Sequence, residues 1–126
     1  TPQVEWSVSL KGRGEKSAAQ ACLKINQFES RASLRGKDTR GGLETLSMLM
    51  VDYAYDGALF SPDAFFYANQ LKSNGWEIQF PAGKIGEHVM VVFMDVYGNE
   101  AQELISREQI GLPASVRAGS EKELGA

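Results

Sequence analysis

Six apolar residues run without a break from Val89 to Met94. β-Branched and aromatic types dominate the run, and these suit a pleated surface. Its two alternating sets are both apolar: Val89, Val91 and Phe93 on one side, Met90, Val92 and Met94 on the other. A strand of that kind is covered on both faces, which places it inside a sheet. Asp95 and then Tyr97-Gly98-Asn99-Glu100 supply a turn, after which Ala101 to Ile105 can return as the next strand.

The rest of the chain supplies neighbours for it. Val4, Trp6, Val8 and Leu10 alternate with polar residues, the pattern of a half-buried strand. Ala19, Ala21, Leu23 and Ile25 alternate in the same way, with a helix over Ser17–Gln27 as the competing reading. Residues 28–42 are polar and basic and read as a loop, with room for a short strand near Ala32–Leu34. Leu46 to Tyr55 is a third apolar strand. Ser61-Pro62-Asp63 has the chemistry of a helix start, so one short helix is expected over 62–72, closed by Gly75. An edge strand through Phe65-Phe66-Tyr67 is the alternative. Trp76, Ile78 and Phe80 form a further short strand before Pro81, and Trp76 is expected to be fully buried.

Six or seven short strands with one small helix predict a mostly β chain. The expected architecture is an antiparallel, immunoglobulin-like β-sandwich. Its 126 residues suffice for one core, taken as a single domain over 1–112 with a poorly ordered tail over 113–126. At 43% hydrophobic and 23% charged, the composition is that of a globular chain, not a disordered one. No apolar run approaches the roughly 20 residues that span a bilayer. A single cysteine, Cys22, excludes an internal disulfide and favours a cytoplasmic setting. The start at Thr1 suggests a piece of something longer.

Motifs for chemistry are scarce. Gly12-Arg13-Gly14-Glu15-Lys16-Ser17 resembles a phosphate loop, but Glu15 stands where the glycine is needed and would repel a phosphate. His88 has no nucleophile or orienting acid at a recognisable spacing, and neither does Cys22. Asp52 and Asp56 close one strong strand while Asp95 and Glu100 close another. They would converge on a hard cation only if the strand ends matched, and turn capping is the simpler role.

Charge is uneven. Through Arg40 there are eight Lys/Arg against four Asp/Glu, and from Gly41 onward five against twelve. Within the basic part, Arg31, Arg35, Lys37 and Arg40 are the candidates for contacts to a DNA phosphate backbone. Two differently decorated solvent faces would give the same split.

The second half carries a resemblance. Leu49-Met50-Val51-Asp52-Tyr53-Ala54-Tyr55-Asp56-Gly57, Phe65-Phe66-Tyr67-Ala68, Asn74-Gly75-Trp76 and the stretch from Val89 to Glu100 follow in order. This pattern resembles the C-terminal region of bacterial site-specific adenine DNA methyltransferases of the type III restriction–modification kind, over roughly residues 43 to 106. The resemblance implies a bacterial, cytoplasmic parent enzyme using S-adenosylmethionine, often dimeric and partnered by a restriction subunit. The family's D-P-P-Y tetrapeptide and F-x-G-x-G cofactor loop are absent from these residues. What it implies here is therefore a non-catalytic accessory domain, for assembly or DNA-backbone contact. Such a domain has no catalytic, cofactor-binding or metal-ligating residue and no cofactor. The competing class is a stand-alone immunoglobulin-like protein-binding module unrelated to nucleic acid.

Overall fold

The computed structural model describes residues 1–12, 19–34 and 36–114. Eight strands and two short helices make up the described chain, and every strand pairing is antiparallel. The first sheet is built on β2 (Gln20–Leu34). Along residues 20–29 it pairs with β1 (Gln3–Lys11), and along 30–34 with β3 (Lys37–Gly41). Its first five residues also pair, on the edge away from β1, with β6 (Glu77–Pro81). The strand reading of the Ala19–Ile25 region thus holds over its helical competitor.

The second sheet has the order β5-β4-β7-β8, formed by Ala64–Tyr67, Leu46–Asp52, His88–Asp95 and Glu100–Ser106. The doubly apolar run is β7, an interior strand between β4 and β8. Val91 and Phe93 have no exposed surface. Inward residues of both sheets belong to one buried cluster: Leu23, Ile25 and Phe80 from the first, Leu49, Val51 and Val91 from the second. Tyr53, just past β4, stacks on Phe80 of β6 with ring centroids 5.5 Å apart. Burial there raises the Tyr53 hydroxyl's pKa above its usual value, with the Asp63 charge adding to the effect.

Three expectations need correction. The helix expected over 62–72 is confined to α1 (Ala68–Ser73), and a second helix, α2 (Arg107–Ile110), follows β8. Residues 64–67 are instead the edge strand β5, paired with Met48–Val51. The polar groups that mimic a helix start have other partners. Ser61 N–H donates to Asp52 Oδ2 at 2.9 Å, Asp63 N–H to the Val51 carbonyl at 2.8 Å, and Tyr53 N–H to Asp63 Oδ2 at 2.8 Å. These bonds fasten residues 53–63 as a strap.

Of the residues expected mainly as a loop, 28–34 continue β2, which includes the short strand foreseen near Ala32–Leu34, and 37–41 pair back against 30–34 as β3. Strand formation follows there from pairing, since Lys37-Asp38-Thr39-Arg40-Gly41 has no apolar alternation of its own.

Trp76, expected in full burial, is only partly buried. It and Gly75 terminate α1: Gly75 N–H donates to the Lys72 carbonyl and Trp76 N–H to that of Leu71 at 2.7 Å, the Schellman pattern. Both residues have positive φ, 68° for Gly75 and 64° for Trp76. Glycine adopts this freely, whereas for a tryptophan it is strained. The Trp76 carbonyl then accepts the Ile25 N–H at 2.8 Å, beside the register shift between β1 and β2. Most of the tail expected over 113–126 lies outside the described residues; Pro113 and Ala114 are irregular.

Candidate functional site

Of the four basic candidates, the hairpin brings two together. Arg31 and Arg40 are directly opposed across β2 and β3, so they share a face. Lys37 opposes Leu34 and, by strand alternation, lies on the other face. Arg35 lies outside the described residues. The shared face is not purely basic, because Ser33 and Asp38 are the adjacent opposed pair on it. The Arg31 guanidinium is bound to Glu29 Oε1, with Nη2 at 3.0 Å and Nε at 3.3 Å. Arg40 lines an open groove of about 950 Å³ together with Glu5, Glu29 and Glu103. A groove holding three glutamates and one arginine is a poor seat for a phosphate.

The carboxylates do not converge. β4 and β7 are neighbours but antiparallel, with Asp52 opposite Met90. Asp52 and Asp95 therefore sit at opposite ends of the sheet, about 17 Å apart at ~3.4 Å per residue. Each works in its own turn. Asp52 accepts from Ala54 N–H at 3.2 Å as well as from Ser61, and Asp56 accepts from Ala58 N–H at 2.8 Å and Leu59 N–H at 3.0 Å. Those two amides, Ala58's first, hold the exposed Asp56 carboxyl below its ordinary range. Among the described residues no group of three metal-ligating side chains comes together.

Asp95 has a larger task. It is 2% exposed, and its carboxylate accepts from Tyr97 N–H at 3.0 Å, from Asn99 N–H at 2.8 Å and from the Ser30 hydroxyl at 3.0 Å. Ser30 belongs to the first sheet and Asp95 to the second, so this buried bond ties the two together. Thr45 Oγ1 lies 2.7 Å from Ser30 Oγ and donates to the Gly42 carbonyl.

Cys22 faces away from the core between Ser9 and Gln79, yet it is buried. The Lys11–Glu77 ion pair at 3.5 Å spans from β1 to β6 beside it. Burial raises the thiol's pKa above its usual value; the Lys11 charge opposes this and Glu77 adds to it. A thiol kept protonated and shielded is a poor nucleophile. Native protein should accordingly react with a disulfide reagent only as fast as it opens. Immediate stoichiometric labelling at mildly alkaline pH would contradict this.

A different surface emerges from the register of the second sheet. Three rows cross its outer face: Tyr67-Met48-Met94-Glu100, Phe65-Met50-Val92-Gln102, and Asp52-Met90-Leu104. All four methionines of the chain are in these rows. Phe65, Tyr67 and Leu104 are each about half exposed. The strap lies over part of the face, where Tyr55, Ala58 and Phe60 enclose a pocket of about 300 Å³ with Met50, Met90 and Val92. Leu59, at the tip of the strap, is 73% exposed.

The sequence held a signal for this surface in the shared parity of Met48 with Met50 and of Met90 with Met94. Because Leu49 and Val51 are equally apolar, parity alone does not say which set faces out.

The described fold is a mostly β chain with two antiparallel sheets. Among the described residues no helix is long and apolar enough to cross a membrane. No family model, curated protein or solved structure matches the chain.

Proposed function

We propose that this chain is a non-catalytic assembly module, arranged as an immunoglobulin-like β-sandwich, whose working surface is the outer face of the β5-β4-β7-β8 sheet. The observation that carries the reading is the apolar composition of that face. Exposed Phe65 and Tyr67, half-buried Met48, Met50 and Met94, and exposed Leu104 share that face, with Met90 and Val92 buried between them under the strap. An apolar surface of this kind is a mark of an interaction site. Methionine's flexible thioether side chains suit such a role, because they can re-pack against a partner.

Within this reading, the proposed parent is a bacterial, cytoplasmic adenine DNA methyltransferase, with this module as its accessory domain. The sequence resemblance over residues 43 to 106 is what supports that step. The module would then serve the parent's own assembly or its union with a restriction subunit. A stand-alone binding module would use the same face.

DNA-backbone contact through Arg31, Lys37 and Arg40 is the weaker reading. The ion pair of Arg31, the opposite face of Lys37 and the three glutamates in the groove that Arg40 lines all count against it. Two variants separate the readings: Phe65→Ser/Tyr67→Ser/Leu104→Ser and Arg31→Ala/Lys37→Ala/Arg40→Ala. The first should lose retention on an apolar matrix yet unfold within about 0.5 kcal/mol per site of the parent, as surface substitutions do. Neither variant should alter the mobility of a DNA duplex at low salt. A duplex retarded by the parent and released only by the arginine–lysine variant would replace assembly with DNA contact.

A further inference from the structure

The exposed face has a one-sided charge pattern. β4, β5, β7, β8 and the strap over 53–63 contain no lysine or arginine. The same segments hold six acids, Asp52, Asp56, Asp63, Asp95, Glu100 and Glu103. Asp52 and Asp95 are buried and occupied by turn amides. Three of the others border the outer face. Exposed Glu100 ends the row that begins with Tyr67 and passes through Met48 and Met94. Exposed Asp56 is in the strap between Tyr55 and Ala58, both of which line the small pocket, and Ala58 and Leu59 N–H groups favour its ionised form. Exposed Asp63, whose Oδ2 accepts the Tyr53 N–H, directly precedes the edge strand β5.

We infer that, resting on the assembly reading above, the outer face of this sheet receives a cationic amphipathic helix. The helix lays its apolar stripe on the methionine rows and directs flanking lysines or arginines to Glu100, Asp56 and Asp63. Size agrees with this occupant. Four strands at ~4.8 Å spacing make a face about 14 Å wide; the strap takes the part over Met50, Met90 and Val92, and a helix, about 10–12 Å across with its side chains, lies along the row Tyr67-Met48-Met94 that the strap leaves open. A methionine-rich apolar surface bordered by acids is complementary to such a helix in both shape and charge. The same border disfavours other occupants. A second copy stacked on this face would oppose carboxylates with carboxylates, and a nucleic acid or an anionic lipid surface would be repelled in the same way.

The test uses the 126-residue chain and two labelled amphipathic peptides of about 18 residues, near five helical turns. They share one leucine face and carry lysines or glutamates on the other. Anisotropy titration at about 0.15 M ionic strength should show the leucine/lysine peptide binding at least tenfold more tightly, a difference of ~1.4 kcal/mol. Phe65→Lys and Leu104→Lys, checked for unchanged melting, should each weaken it about tenfold or more, and Glu100→Lys should narrow the gap between the peptides. Equal binding of the two peptides, or parent-like binding by the lysine variants, overturns the inference. In the equal case with both lysine variants impaired, the assembly surface stands and only its preference for cations falls. Sedimentation showing a dimer that Phe65→Lys abolishes makes a second copy the occupant and also overturns it. If neither peptide binds and the serine variant keeps full retention on the apolar matrix, the inference and the assembly reading fall together.

Discussion

Replacing Phe93 by alanine should lower the unfolding free energy by about 3–5 kcal/mol, the usual cost of emptying a buried phenylalanine site. Phe93 is opposed by Leu49 on one neighbouring strand and by Ala101 on the other. It has no exposed surface and belongs to the cluster to which both sheets contribute. A small residue such as Ala101 cannot fill the gap, and β7 cannot move inward without disturbing pairings on both edges. For a domain of this size the melting temperature should fall by roughly 10 °C or more. Urea unfolding of Phe93→Ala beside Tyr67→Ala makes the comparison direct, because Tyr67 stands on the outer face and is about half exposed. A loss below about 1 kcal/mol for Phe93→Ala would mean that β7 is not the strand the core depends on.

Asp95→Ala should be nearly as damaging, at about 2–4 kcal/mol, through a different mechanism. Its carboxylate serves three donors, one of which is the hydroxyl of the fully buried Ser30. Alanine leaves that hydroxyl only Thr45 as a partner, and a lost hydrogen bond to a charged group costs about 1.5–3 kcal/mol. The Tyr97 and Asn99 amides lose their acceptor as well, which loosens the turn between β7 and β8. Asp95→Asn keeps one acceptor oxygen for these amides and should cost about half as much. Removing Ser30 and Asp95 together should cost less than the two single losses added, since each variant already breaks the same bond. Strict additivity in that cycle would show that the bond between the sheets carries no energy.

The contrast between these two sites shows which parts of the fold are legible in the sequence. β7 could be placed as an interior strand because both of its alternating sets are apolar, whereas a strand with one solvated face would alternate with polar residues. β1 was legible from Val4, Trp6, Val8 and Leu10, and the end of α1 from Gly75. β3 was not, because its residues are polar and it is a strand through its partner β2. Ser61-Pro62-Asp63 misled because the groups that cap a helix also fasten a strap, and only the positions of Asp52 and Tyr53 decide between the two.

α2 left a signal that was there to be found. Ser106 and Gln109 form a reciprocal capping box, and Gly111 closes the helix at φ 101°. The Arg107 guanidinium then donates to the Ile85 carbonyl at 2.8 Å, anchoring the connection before β7.

The candidate site was the least legible part. Leu49 and Val51 are as apolar as Met48 and Met50, so the sequence does not say which pair faces solvent. The register settles it by placing Leu49 and Val51 in the core and the methionines on the outer rows. The charge of the basic segment is visible in the sequence, whereas the pairing of Arg31 with Glu29 and the placement of Lys37 on the face opposite Arg31 and Arg40 are not.

The four methionines also offer the most direct measurement. Each carries one ε-methyl group, all four lie on the outer face, and no other methionine exists in the chain to confuse the spectrum. With these methyls carbon-13 labelled, addition of the leucine/lysine peptide should shift or broaden all four signals together. Backbone amides of the 30–41 hairpin should stay in place. Methionine signals that remain fixed, while the amides of Arg31 and Arg40 respond to peptide or to DNA, would contradict the assignment of the outer sheet face as the working surface.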